Sequence, residues 1–388
     1  MTTTTMYAPN GSAGVSFTCR SGTTYSSNSL GYITGVAGAD ISDLISDGCQ
    51  LINFQSPVTY RNMVDGGDFG VNPWQRGTSF SAISSSPATY TADRWFAGAV
   101  SAANMAVAQV ATSGVSGFNN ALCWGRTSGD AHTTAISLGQ VMETLDNVRL
   151  QGQQICLSFW AQQGTGYTGG ALTVQVNHST TAGNDTAANL INATNNWLAV
   201  PTIINTTQAI SSSWQRYTFS GSVPINVTQL GVLLSFTPAG TAAGASAAIA
   251  GDSILIQGVQ LEIGSVASPF EHRDIAAELE LCQRYFWQLN EPANGAVLAV
   301  GNTVAAGNQQ FFVPLPVQMR ANPVCSVSAG SMRLQFGATS VAVVGLAAGI
   351  THTVNAVSFV TTYSAASNTP AQLIGGAGSG YLRASADL

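Results

Sequence analysis

From about residue 64 onward, segment after segment alternates apolar and polar positions at period two, the pattern of half-buried β-strands. "QICLSFWA" puts Ile155, Leu157 and Phe159 on one face, and "ALTVQVNH" does the same with Leu172, Val174 and Val176. "QLGVLLSFTP" follows with Leu230, Val232, Leu234 and Phe236. In "SILIQGVQLEIG", Ile254 and Ile256 are in phase, while Val259, Leu261 and Ile263 are in phase one residue out. The slip falls at Gly258 and predicts a β-bulge. "TTAGNDTAANLINATNN" and "TPAGTAAGASAAIAG" read as loops between such strands. Strands of this kind in Gly/Ser/Thr-rich surroundings predict a jelly roll or β-sandwich over residues 64–272. Trp160 and Trp214 lie inside strand patterns and are read as core.

The flanks behave differently. Residues 1–52 form a small N-terminal module: "GVSFTC" and "LGYITGV" are short β-type runs joined by a Ser/Asn-rich turn. "ADISDLISDGC" then reads as a short helix capped by Asp40, with Ile41, Leu44 and Ile45 as its apolar stripe. In "DIAAELELCQRYFWQL", Ile275, Leu279, Cys282, Phe286 and Leu289 recur at spacings of four and three. That predicts a connecting helix over residues 273–290 with an a/d seam of about two heptads, which either packs on the chain's own sandwich or serves as an oligomerisation surface. Residues 291–388 return to β character, in "QQFFVPLPV", "MRLQFG" and "VSFVTTY", as a C-terminal β-module. The fold class expected is mainly β, in four parts: N-terminal module, central sandwich, one connecting helix and C-terminal β-module.

Composition narrows the function. Only 8% of the residues are charged, all 12 basic residues are arginine, and the formal net charge is -6. Without a basic stripe, no nucleic-acid partner is expected. No apolar run reaches the ~18 residues of a spanning helix, so no membrane insertion is expected. "MTTTTMYAPNGS" lacks the basic start and apolar core of a signal peptide, so folding in the cytoplasm of the producing cell is expected. Cys19, Cys49, Cys123, Cys156, Cys282 and Cys325 form no C-x-x-C pair and read as isolated buried thiols.

"DGGDFGVNPWQRGTSF" fails as a phosphate loop, since the chain has no lysine and no helix follows. His132, His178, His272 and His352 form neither H-E-x-x-H nor an i, i+4 pair, and no G-x-S-x-G elbow exists. Glu271, Glu278 and Glu280 cluster at a helix start, where the helix dipole explains them. No catalytic residue is therefore assigned and no enzyme is expected. Asp68, Asp252 and Glu262 are candidate ligands of a structural Ca²⁺; no other cofactor is expected. Trp124 and Trp197 stand in polar surroundings, "ALCWGRTSGD" and "ATNNWLAV". They are either core residues or rings that stack on a sugar, with Arg126, Asn195 and Asn196 serving its hydroxyls.

Three stretches resemble appendage proteins of tailed bacteriophages and prophages, the tail and head fibres. They are "VDGGDFGVNPWQRGTSF" with "YTADRWFAG", then "IQGVQLEIGSVASPFEHRDIAAELELCQRYFWQ", and "FVPLPVQMRANPVCSV". Gly66 stands where that family usually has Asn. The resemblance implies a virion part with a sandwich of the carbohydrate-binding-module type. Members are often trimeric, and the short seam, the small C-terminal β-module and the low charge also favour a homotrimer, with residues 1–52 attached to other virion proteins and the β-modules reaching host polysaccharide or lipopolysaccharide. The expected role is a non-enzymatic fibre. The alternatives are a capsid head-decoration fibre without a receptor, or a polysaccharide-degrading tailspike. The last usually needs a repetitive β-helix, and no such period is present.

Overall fold

The computed structural model describes residues 3–7, 14–27, 32–40, 43–44, 47, 50–51, 61–70, 74–83, 88–99, 104–132, 134–180, 186–192, 197, 203–239, 249–290, 296–305, 307–328, 332–346, 353–362, 371–375 and 380–387. The chain divides into two compact units, Met1–Arg61 and Asn62–Leu388. The first holds β1 (Thr3–Tyr7), β2 (Ser16–Thr18), β3 (Thr24–Ser26), β4 (Tyr32–Ala37) and β5 (Gln50–Leu51). β2 pairs with β3, while β1 lies between β4 and β5. The two sequence-predicted runs therefore do not pair with each other. Cys19, Ile33, Val36 and Leu44 form the small core. Of the predicted helix, Asp43 and Leu44 are helical and Asp47 N donates to Asp43 O at 3.1 Å. Ile41 and Ile45 lie outside the described residues.

The second unit begins with the sandwich: β6 (Ser79–Ile83), β7 (Thr89–Tyr90), β8 (Phe96–Ala99), β9 (Met105–Ala111), β10 (Asn120–Thr127) and β11 (Ile136–Val141). It continues with β12 (Gln154–Gln163), β13 (Leu172–Ser179), β14 (Ile204–Gln208), β15 (Gln215–Ser222), β16 (Gln229–Phe236) and β17 (Ile249–Ile263). The first sheet runs β15-β12-β17-β10-β9-β6 and the second β14-β13-β16-β11-β8-β7. The alternation places the predicted side chains correctly. Ile155, Leu157, Phe159, Leu172, Val174, Val176, Leu230, Val232, Leu234 and Phe236 all meet in one core. Ile254, Ile256, Val259 and Leu261 join them, whereas Ile263 is 45% exposed at the strand end. The bulge is present: Ser158 pairs with Gln260 but Trp160 with Gln257, and Gly258 takes φ 62°.

Part of one predicted loop is ordered differently. Ala187–Asn192 form a helix packed on the outer side of the second sheet, where Leu190, Ile191 and Trp197 bury themselves with Phe96, Val141, Leu233 and Tyr285. Of the cysteines, Cys19, Cys123, Cys156 and Cys282 are buried free thiols, Cys325 is a partly buried one, and Cys49 lies outside the described residues.

The connecting helix is shorter than its periodicity predicts. It spans Ile275–Gln283, with the Asp274 carboxylate accepting from Ala276 N at 2.9 Å. Phe286–Asn290 then form strand β18, so the seam from Ile275 to Leu289 does not exist as one helical face. Ile275 is 66% exposed, while Cys282 and Phe286 are buried within their own chain. Leu289 packs on the C-terminal core, and Leu279 is partly buried. Aromatic residues favour a pleated surface when a partner strand is available. Here the partner is the far end of the chain.

That end comprises β19 (Val297–Ala305), β20 (Asn308–Pro314), β21 (Val324–Val327), β22 (Met332–Phe336), β23 (Thr339–Ala342), β24 (Gly345–Leu346), β25 (Ala356–Thr362), β26 (Ala371–Gly375) and β27 (Tyr381–Ser385). β27 lies between β18 and β21, and the rest form a seven-stranded sheet, β23-β22-β26-β19-β20-β25-β24. Phe311, Met332, Leu334, Leu373 and Leu382 build a second core there.

Candidate functional site

The glycine-rich stretch at residues 65–80 is a strap with a structural task. β10 follows β17 only as far as Ile256. Beyond the bulge the strap takes over that edge: Met63 N donates to Leu261 O at 2.7 Å and Val259 N to Gly67 O at 2.8 Å. Asn62 Nδ2 donates to Val259 O, and its Oδ1 accepts from Val64 N and Leu261 N, each at 3.0 Å. A Cβ on Gly67 would collide with the Val259 carbonyl oxygen, and Gly66 occupies φ 64°. Close approach and a left-handed turn explain both glycines.

The same strap carries Asp65 into an ion network. Arg94 Nε meets Asp65 at 3.2 Å, and Arg273 Nη1 meets Asp65 at 3.5 Å and Glu278 at 3.2 Å. Glu278 also accepts from Gly66 N, and Arg273 donates to Asn62 O. Arg94 lies 3.5 Å from the Tyr285 ring centre and takes φ 69°, a conformation that costs a non-glycine residue of order 1 kcal/mol or more. Arg76 pairs with Asp387 at 2.6 Å and covers the Phe286 ring at 3.4 Å. Arg284 pairs with Glu143 at 2.9 Å. Residues from the strap, the "TADRW" segment, the helix and the chain end thus lock the sandwich to the C-terminal module. Helix-dipole compensation, the sequence-level reading of Glu278, misses this partner set.

Burial dominates two of these carboxyls. It pushes Glu278 up to about 7 against the pull of Arg273, and Asp93 up to about 6 against that of Arg76. The unfolded chain releases both protons near pH 4 to 5, so the folded state binds more protons between there and about pH 7. Their stabilising contribution is complete below pH 4 and lost as pH rises through 6 to 7. The thermal midpoint is expected to be several degrees higher at pH 5 than at pH 8. Glu278→Gln should flatten that difference in a calorimetric pH series.

The sequence-predicted sugar site is not assembled. Trp124 is 0% exposed and meets Phe236 edge-on at 5.5 Å between the sheets. Arg126 is 0% exposed, and Trp197 is 3% exposed against Gly231 on the far side of the second sheet. None presents a face to a ligand, and Asn195 and Asn196 lie outside the described residues.

Nor do the three carboxylates proposed for Ca²⁺ converge. Asp68 accepts from Gly70 N at 2.9 Å. Asp252 accepts from Thr168 N at 3.1 Å, Gly169 N at 2.8 Å and Ala239 N. Glu262 accepts from Ser268 N and Gln260 Nε2, both at 2.8 Å. Asp252 and Glu262 stand at opposite ends of β17, ~30 Å apart at the usual strand rise. In the first unit, ligand atoms of Cys19, Asp40 and Asp43 lie within 4.8 Å of one another. There Asp40 accepts from Tyr25 Oη at 2.9 Å and Asp43 from Arg20 N at 2.7 Å.

A different surface has the right chemistry. On β12 the residues out of phase with the core, Cys156, Ser158 and Trp160, lie on the outer side of the first sheet, where Cys156 and Ser158 are buried and Trp160 is not. They stand opposite Ser220, Thr218 and Arg216 of β15, and opposite Glu262, Gln260 and Gln257 of β17. Trp160 is partly exposed, and its ring edge lies beside Gly258 with Phe118. Phe118 in turn touches Phe270 at 5.1 Å and His272 at 5.0 Å, which extends an aromatic row across the sheet. Gln257 is buried and neither of its amide side-chain atoms has a hydrogen-bond partner. Beside the row, a cavity of about 290 Å³ is lined by Cys156, Arg216, Thr218, Phe219, Ser220 and the 265–267 turn. An indole face, hydroxyls and a guanidinium on one surface can meet both the apolar and the hydroxylated sides of a sugar. The signal for Trp160 was its phase: it alternates with Phe159 and Leu157 rather than joining them.

No family model matches the chain, and no curated protein matches it. Among solved structures, it is similar to the enzymatically active domain of tailspike protein 4 of bacteriophage CBA120, at 12% identity and TM-score 0.31. That match covers 53% of this chain but only 22% of the tailspike chain. The module TmCBM61, solved with β-1,4-galactotriose, is 13% identical over 53% of this chain and 99% of its own, with TM-score 0.27. The CBM22-1 xylan-binding domain of Paenibacillus barcinonensis Xyn10C is 13% identical over 49% and 94%, with TM-score 0.27. The chain is a mostly β protein whose central part is a sandwich of two six-stranded sheets.

Proposed function

We propose that the protein is a non-enzymatic fibre component of a tailed bacteriophage that holds host-surface polysaccharide on the outer face of its first sandwich sheet. The observation that carries the binding is Trp160, partly exposed on that face and opposite Arg216, beside the hydroxyl-lined cavity. The resemblance of the strap, helix and "MRANP" stretches to phage appendage proteins supports the virion role. Binding without cleavage fits Glu262, which is buried beside the face and held by Ser268 and Gln260. A shallow site of this kind is weak singly, so several copies on one fibre would supply avidity. With no long helical seam, copies of a homotrimer would meet through β-surfaces.

Trp160→Ala is expected to abolish retention on immobilised host capsule or lipopolysaccharide while moving the thermal midpoint by no more than a few degrees. Retention equal to that of the unsubstituted protein would refute the site. Release of oligosaccharide on incubation would refute the non-enzymatic reading.

A further inference from the structure

Resting on that reading, we infer that the polysaccharide is acidic, and that the cavity beside Trp160 receives its anionic group on Arg216. Arg76, Arg94, Arg273 and Arg284 each meet a carboxylate. Arg216 differs: its Nη2 donates to two neutral acceptors, Ser158 Oγ at 3.1 Å and Ser268 O. No carboxylate among the described residues lies within ion-pair distance of it. The nearest acid on the face, Glu262, is buried and engaged by Ser268 N at 2.8 Å, Ser268 Oγ at 2.5 Å and Gln260 Nε2 at 2.8 Å. It orders the turn whose carbonyl Arg216 holds.

Arg216 is the single basic residue lining the cavity, and the hydroxyls of Thr218, Ser220 and Ser265 stand around it. A cation with hydroxyl donors at its side suits an oxyanion, and a guanidinium can grip one through two parallel N–H groups. Val266, 79% exposed, and Ala267 supply an apolar lip for the ring that carries the anion. At about 290 Å³ the space is at the small end for ligand pockets, suited to one residue of a chain rather than a length of it. Directly opposite side chains on paired strands lie roughly 5 Å apart, so a neighbouring sugar reaches Trp160 while the acidic one occupies the cavity. Carboxylate and sulfate or phosphate ester share this chemistry.

The test is affinity electrophoresis of the full chain through gels containing polygalacturonate, dextran sulfate or neutral galactan. At least one anionic polymer should bind about tenfold more tightly than galactan, with the difference shrinking as salt rises. Whichever anion retards the protein identifies the acidic group as carboxylate or sulfate ester. Arg216→Gln should remove that gain. Ser265→Glu, an exposed substitution that leaves the Arg216 hydrogen bonds in place, should remove it too. Equal retardation by all three polymers, or a preference that survives both substitutions, would overturn the inference while leaving a Trp160-dependent interaction standing. Loss of Trp160 dependence would instead overturn the binding site itself, and the inference with it.

Discussion

Trp124→Ala is expected to destabilise the sandwich by about 3–5 kcal/mol, the usual loss when a large buried aromatic is truncated. The ring projects inward from β10, which pairs with β9 on one side and β17 on the other. It has no exposed surface and packs against Phe236 at 5.5 Å. Its indole nitrogen is buried without a hydrogen-bond partner, so Trp124→Phe should cost far less: it removes an unsatisfied donor while keeping most of the apolar area. Urea unfolding of the two variants checks this. Unchanged stability in the alanine variant would place the ring outside the core.

Arg273→Ala should be comparably severe, about 3–5 kcal/mol, because it strips the buried Glu278 of its counter-charge and leaves Asp65 with Arg94 alone. Its side chain is 5% exposed and reaches Asp65, Glu271, Glu278 and the Asn62 carbonyl. Lysine should rescue little, since one ammonium cannot reproduce a fork that spans partners from two segments. The deficit should be larger at pH 8 than at pH 5. With burial holding Glu278 at about 7, the carboxyl is neutral at the lower pH and needs no partner. Equilibrium unfolding at both values, with the double variant Arg273→Ala/Glu278→Gln as control, measures the coupling. A deficit independent of pH would mean that Asp65, not Glu278, carries the penalty.

Local periodicity by itself determined the β class, the inward face of each strongly alternating strand and the bulge at Gly258. A two-residue repeat ties every side chain of a strand to one of two faces, so these were legible without any partner. It even held the outward phase of Trp160, although a tryptophan inside a strand pattern invites a core assignment. Trp124 was hidden because "NALCWGRT" is short of β-branched residues. Only pairing on both sides makes that segment a central strand and closes the core over the ring. The stretch after Gln283 fits a helical seam equally well on spacing alone; about a hundred residues later in the chain, β27 offers Phe286 and Trp287 a strand to pair with. Asp65, Arg94 and the Arg273–Glu278 pair come from segments far apart in the sequence. Their attraction becomes strong only once folding brings them together and removes water from between them, and no local pattern records it.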